Sequence, residues 1–243
     1  MTRLRGANLM ALALAALASQ CFAGIAGAQT QADYLRGIFS TPSTYDPSPV
    51  RLQIGDDDYD IPKNALFAFP SNEQRQRDVL LRLLYPEMEG LTLANNAEMR
   101  RVGQDSPRIQ ILISDRSTNP HPQSGSQGVN ARVTFWVQYG GTVATVDDVQ
   151  LGLRRLTVSN QRSYDVFVDS VEQEGARSFV IECSRFDKVP NPNCSLFFAY
   201  RNLIVKASFV RSRLPEWRPI RAAVSRWMDE RRVQGKVRQG TGE

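Results

Sequence analysis

From residue 152 to 210 the chain repeats one pattern five times, a short apolar-rich run followed by a polar turn. The runs are GLRRLTV (152–158), YDVFVD (164–169), SFVIECSR (178–185), SLFFAYR (195–201) and NLIVKASFV (202–210), the last entered through an Arg-Asn turn. Their β-branched and aromatic residues suit a pleated, half-buried surface. Strands this short and this regularly spaced pair with their neighbours in sequence, so an antiparallel meander is predicted.

Cys183 falls on the third of these runs and Cys194 immediately precedes the fourth, with the turn-forming segment KVPNPN between them. The chain has no C-x-x-C, and its one histidine, His121, lies in the polar segment NPHPQSGSQG, so no zinc-ligand spacing is available. A disulfide is predicted, worth about 2–4 kcal/mol and pinning the register of two neighbouring strands.

That prediction needs an oxidising compartment, and the N-terminus supplies the reason to expect one. The opening MTRLRGANLMALALAALASQCFAGIAGAQT places Arg3 and Arg5 before an apolar run from Leu9 to Ala18. Ala26-Gly27-Ala28 then gives the small-residue spacing of a signal-peptidase site, with Gln29 as the new N-terminus. Residues 1–28 are read as a signal peptide, and the mature chain is expected in the periplasm or outside the cell. Lipidation at Cys21 is the lesser alternative, because Gln20 is larger than the residue that usually precedes a lipid-modified cysteine. No later segment reaches the roughly 18 apolar residues of a membrane-spanning helix.

The formal charge of +5 is unevenly placed. Residues 201–243 carry 11 Lys and Arg against 4 Asp and Glu, a net of +7, so the basic excess is local to the C-terminal end. Such a segment can contact anionic lipid or an acidic protein, and more commonly is a solvated helix face. Export argues against nucleic acid.

Residues 29–49 read as an N-terminal arm, 50–232 as a single β-rich domain, and 233–243 as a disordered basic tail. Two sub-domains divided near 115–130 are the alternative. VRLQIGDDDYDIP is expected to form a hairpin around a Gly-Asp turn, with Leu52, Ile54, Tyr59 and Ile61 turned inward. RDVLLRLLYPEM satisfies both strand and helix spacing; a buried strand is favoured because RIQILIS (108–114) and ARVTFWVQY (131–139) are read as strands able to flank it. The segment between those two is read as a long loop.

LPEWRPIRAAVSRWMDERR closes the pattern as an amphipathic helix, with Trp217, Ile220, Val224, Trp227 and Met228 on one side and Pro215 and Pro219 near its first turn. The predicted fold class is α+β, mostly β: an antiparallel sheet or sandwich with this C-terminal helix packed on it.

The chemistry expected of such a chain is limited. His121, between two prolines, is the one histidine available to serve a Ser or Cys nucleophile. There is no Gly-rich phosphate loop and no dinucleotide fingerprint, so no cofactor is predicted. In GDDDYD, Asp56, Asp58 and Asp60 alternate as at the start of a calcium loop, but the sixth position is Ile61 and the twelfth Phe67 where glycine and glutamate belong. Asp56, Asp57, Asp58 and Asp60 are therefore read as an acidic hairpin tip and a candidate contact for a basic partner.

Two stretches carry a family resemblance. LQIGDDDYDIPKNAL, followed by LLRLLYPEM, and NCSLFFAYRNLIVKASFVRSRLPEWRPI near the end resemble small exported proteobacterial proteins, some encoded beside antibacterial effectors of the type VI secretion system. The resemblance implies a non-catalytic periplasmic immunity protein that blocks the active site or substrate groove of an effector toxin, with membrane-directed phospholipases one target class. The acidic turn from Asp56 to Asp58 departs from the pattern and leaves the partner open. The alternatives are a general envelope-associated or ligand-binding protein and, behind it, a carboxylate-dependent hydrolase.

Overall fold

The structure is a computed structural model and describes residues 44–67, 75–115, 125–138, 141–159, 163–169 and 179–233. The predicted signal peptide, most of the N-terminal arm, His121 and most of the basic tail lie outside the described residues. Two sheets are formed. β4 (Asp78–Leu84), β5 (Arg108–Ser114), β6 (Thr142–Asp148), β7 (Leu153–Val158), β8 (Tyr164–Asp169), β9 (Phe179–Ser184), β10 (Asn193–Tyr200) and β11 (Leu203–Val210) make an eight-stranded antiparallel sheet in the order β4-β5-β11-β10-β9-β8-β7-β6. β1 (Pro49–Ile54), β2 (Asp57–Pro62), β3 (Arg75–Gln76) and β12 (Arg232–Val233) make a smaller one in the order β12-β2-β1-β3.

The run from β7 to β11 is the expected meander, each strand pairing with the next, and β6 extends it by one strand. β11 then pairs with β5, which brings the segments before and after residues 115–130 into one continuous sheet. The ambiguous 79–85 segment is a strand: Val79, Leu81 and Leu83 are buried while Leu80 and Arg82 are half-buried, the alternation a sheet imposes. Cys183 and Cys194 face each other directly on β9 and β10, with Cα atoms 4.0 Å apart, and are bridged. Both are buried in the main core.

The hairpin of β1 and β2 turns through Gly55 and Asp56. Gly55 has φ +64, the glycine-first pattern of a two-residue turn whose twist matches its strands. Leu52, Ile54, Tyr59 and Ile61 all point into the core. The Tyr59 hydroxyl is buried with no hydrogen-bond partner among the described residues, and burial, then the charge of Asp57, push its pKa up to about 12. Tyr200, whose hydroxyl donates to Asp229 Oδ1 at 2.5 Å, is also shifted up, by burial and then by that bond.

A raised tyrosine pKa means the folded state holds its proton more tightly than the unfolded one. The stabilisation is complete below the unfolded value near 10 and is lost as pH rises through the folded values. Denaturation midpoints are therefore expected to fall as pH climbs from 10 to 12, with tyrosinate absorbance from these two residues appearing only on unfolding. Tyr59→Phe removes its share of that dependence and costs little at neutral pH, because it deletes an unpaired buried hydroxyl. A Tyr59 that ionises freely in the folded protein near pH 10 would contradict this.

One expectation is corrected. ARVTFWVQY was read as a strand over 131–139, but the chain there is helical, in a helix α2 (Gly125–Gln138) that begins inside the expected loop. A short helix α1 (Asn96–Arg100) precedes it. The β-branched and aromatic content of 133–136 carried the strand reading, yet Val129, Val133 and Trp136 recur at helical spacing. They pack on Leu156, Val166, Val168 and Val180, a hydrophobic cluster of their own. Tertiary burial thus overrides local β preference. β6 was not anticipated at all.

α2 is also fixed electrostatically. Glu182 on β9 is buried and accepts hydrogen bonds from Arg132 Nε and Nη2 at 2.5 and 2.6 Å and from Trp136 Nε1 at 2.7 Å. A buried carboxylate needs such partners, and here the helix supplies all three donors.

The C-terminal helix α3 (Trp217–Arg231) follows a 3₁₀ segment (Arg211–Glu216). Trp217, Ile220, Val224, Trp227 and Met228 are buried as predicted, and Pro215 and Pro219 sit before and within the first turn. α3 and the small sheet join the core made by Phe179, Ile181, Leu196 and Phe198. Because neighbouring residues on a strand point oppositely, α2, packed on Val180 and Glu182, lies on the other face of the large sheet.

Candidate functional site

The face that carries α2 is covered only in part by described elements. α2 packs on β7 to β10 and part of β11, leaving the side chains of β4, β5 and β11 on that face half-exposed. The register sets them in rows across the strands. One row runs Leu80, Leu112, Lys206, Phe197 and Val180; the next runs Arg82, Gln110, Ser208, Ser195 and Glu182. Both begin at the edge strand β4, which Leu66 bridges at Leu81, and pass towards α2.

At one end of this face the chain from 85 to 107 folds over the sheet, anchored by a small cluster of Leu84, Leu91 and Met99. Between that segment and the strands lies a cavity of about 260 Å³, lined by Val102, Gly103, Arg108, Gln110, Asn193 and Ser208 among others. Arg108 Nη1 donates to the Met99 carbonyl at 3.2 Å, which holds the guanidinium at the cavity wall.

The face gathers cations from several segments. Arg82 stacks over the Phe67 ring at 4.2 Å, and its Nε is buried with no hydrogen-bond partner among the described residues. Burial, then the charges of Arg108 and Arg100, lower its pKa, so both of those guanidiniums lie within electrostatic reach of Arg82. Lys206 approaches the Phe197 ring at 5.6 Å, and Arg132 covers the same ring at 4.1 Å. Among the described residues no carboxylate forms an ion pair with Arg82, Arg100, Arg108 or Lys206. Aromatic faces steady Arg82 and Lys206 without neutralising them.

The acidic hairpin is used differently. Asp57 pairs with Arg201 Nε at 2.9 Å and with Arg232 Nη1 at 3.6 Å. Asp60 accepts from Arg51 Nε and Nη2 at 2.9 and 2.8 Å, and that pairing holds its carboxyl below its ordinary pKa. Asp58 lies on the paired strand β2, and Asp56 is exposed at the turn. Of the four candidate contact residues, two are committed to partners within the chain. Among the described residues no group of three or more His, Cys, Asp or Glu side chains could hold a metal ion.

The basic C-terminal segment is likewise drawn inward. Arg201 and Arg232 reach Asp57, Arg211 bonds Asp165 on β8, and Arg218 donates to the Leu151 and Gly152 carbonyls at 3.2 Å each. Gly152, at φ +60, admits the Arg218 guanidinium where a Cβ would collide with it. Beside this contact, on the opposite face from α2, a second cavity of about 440 Å³ is lined by Phe179, Trp217, Arg221 and Asp169. Among the described residues no helix is long and apolar enough to cross a membrane.

No protein-family model matches the chain, and no curated protein matches it. A solved structure does. Smlt3025, an immunity protein of the Stenotrophomonas maltophilia type IV secretion system, superposes with a TM-score of 0.54 at 16% identity, covering 79% of this chain and 96% of that one. The two chains share a fold. The likeness takes in nearly the whole of the immunity protein, so the common architecture is not confined to one hairpin or sub-sheet. The iron-regulated outer membrane lipoprotein FrpD of Neisseria meningitidis also aligns, over 78% of this chain and 94% of its own, at 10% identity and a TM-score of 0.37. Likeness at that level does not establish a common fold.

Register pairing brought the open face together from residues that sequence reasoning had passed over. Arg82, Arg100, Arg108 and Lys206 come from four separate segments. The only local signal was the alternation of Arg82 and Lys206 with buried aliphatics, which marks both as outward on their strands.

Proposed function

We propose that this chain is an exported immunity protein that binds an antibacterial effector and holds it inactive. The observation that carries the reading is the fold shared with a secretion-system immunity protein across 96% of that protein's length. Two features agree with it. The Cys183–Cys194 bridge suits an oxidising compartment such as the periplasm, where the signal-like residues 1–28 would deliver the chain. The half-open sheet face with its cavity gives a rigid surface on which a partner can seat.

In this reading the protein acts by binding, without catalysis of its own. The sequence resemblance points to a type VI effector and to phospholipases as a target class, whereas the solved relative serves a type IV system. The delivery machine and the effector's chemistry are read from the gene beside this one and from the activity that the protein inhibits.

The test is a competition between sibling cells. A strain lacking this gene should be killed by its effector-secreting parent, and a plasmid copy should rescue it. A copy lacking residues 1–28 should fail, because the protein then stays where thiols are reduced and the effector never meets it. Survival of the deletion strain beside an actively secreting parent would remove the immunity reading.

A further inference from the structure

We infer that the half-open face of the large sheet is the docking surface for an acidic segment of the partner, anchored on Arg82, Arg100, Arg108 and Lys206. The inference rests on the binding role proposed above and names its chemistry. It reverses the sign suggested by sequence, in which the acidic hairpin would meet a basic partner.

Charge accounting carries it. Asp57 and Asp60, the prominent acids of the hairpin, are committed to Arg51, Arg201 and Arg232. These four cations, three on the sheet face and Arg100 on α1 beside it, have no carboxylate partner among the described residues, although Arg82 is half-buried. Holding like charges together on a part-desolvated surface costs free energy, and an incoming carboxylate relieves it. The surroundings suit a peptide more than a free ion. Leu80, Leu112 and Phe197 give the face an apolar floor beside the cations. The cavity of about 260 Å³ at Arg108 is wide enough for one side chain, with Gln110, Asn193 and Ser208 as hydrogen-bonding groups in its lining. A strand or loop carrying Asp and Glu beside apolar residues fits both parts.

The test uses fluorescent poly-L-glutamate as probe, titrated at low salt into the full mature chain, with amide chemical shifts read by NMR. Shifts are expected on β4, β5 and β11. The variant Arg82→Glu/Lys206→Glu should bind about tenfold more weakly or worse, since two ion pairs are lost and each reversed charge repels as well. Arg82 packs on Phe67, so a second variant, Arg100→Glu/Lys206→Glu, spares that contact and should show the same loss. Arg226→Glu, a charge reversal on the exposed side of α3, should leave binding almost unchanged.

Shifts confined to α3, a loss with Arg226→Glu as great as with the face variants, or no binding at low salt would each overturn the assignment. The two levels of the proposal fail separately. A captured effector whose affinity ignores both face variants sinks this surface and leaves the immunity role standing. Poly-glutamate mapping to the face while the sibling competition shows no protection sinks the immunity role and leaves an acid-binding surface.

Discussion

Trp217→Ala is expected to destabilise the protein by about 3–5 kcal/mol, the range for deleting a large buried aromatic. Trp217 is the keystone of the first turn of α3. It is 5% exposed, its ring lies 4.6 Å from that of Phe179, and its Nε1–H donates to the Leu151 carbonyl at 3.0 Å. Arg218 lies 4.4 Å over the same ring while bonding the same turn, so one residue ties the helix to both the sheet and the β6–β7 connection. Truncation would merge the lost volume with the neighbouring cavity that Trp217 already lines. Trp217→Phe separates the contributions: it keeps most of the packing and forfeits the hydrogen bond, at about 1–2 kcal/mol. Urea denaturation of the oxidised protein reads both. A Trp217→Ala variant within 1 kcal/mol of the parent, a margin typical of surface changes, would mean that α3 is held elsewhere.

Replacing Cys183 and Cys194 together by serine is expected to cost about 3 kcal/mol. The sulfurs close a loop with a sequence separation of 11. The chain-entropy relation for a loop of that size gives about 3 kcal/mol at 25 °C. The real loss should be no smaller, because both positions are buried in the main core and a serine hydroxyl there must find a partner or remain unsatisfied. Alanine at both sites tests that addition and should recover part of the difference. Reduction of the parent should reproduce the entropic part alone. Equal stability with and without reductant would contradict the staple and leave hydrogen bonding between β9 and β10 as the sole determinant of their register.

The large sheet was legible because its strands are adjacent in sequence and alternate clearly. Phe179 to Ser184, Asn193 to Tyr200 and Leu203 to Val210 fall where the apolar runs fall. The Cys pair identified one register directly. α3 was legible for the complementary reason, since its five predicted inward residues repeat at helical spacing in an uninterrupted stretch. What failed was local preference set against a tertiary partner. Val133, Thr134, Phe135 and Trp136 favour extended backbone, but Arg132 and Trp136 meet on Glu182 only if the segment is helical, and Glu182 lies 46 positions beyond Trp136.

The basic sheet face was inconspicuous for the same reason in sharper form. A run such as Asp56-Asp57-Asp58 is conspicuous because it is contiguous, whereas the partner of Asp57, Arg201, lies 144 positions away. The cations of the sheet face are scattered singly, and only the β4-β5-β11 register places Arg82 and Lys206 in adjoining rows. Contiguity makes the acidic hairpin conspicuous in the sequence, and its absence leaves the cations of the sheet face inconspicuous.

The central claim is that this protein works by occupying an effector, and capture from the native envelope tests it most directly. Tagged mature protein, incubated with envelope fractions from cells expressing the neighbouring gene, should retain one toxin-like enzyme in stoichiometric amount. That enzyme's activity should fall to zero as one equivalent of this protein is added. Recovery of envelope components alone, or of an enzyme whose activity is unaffected by saturating protein, would contradict the account.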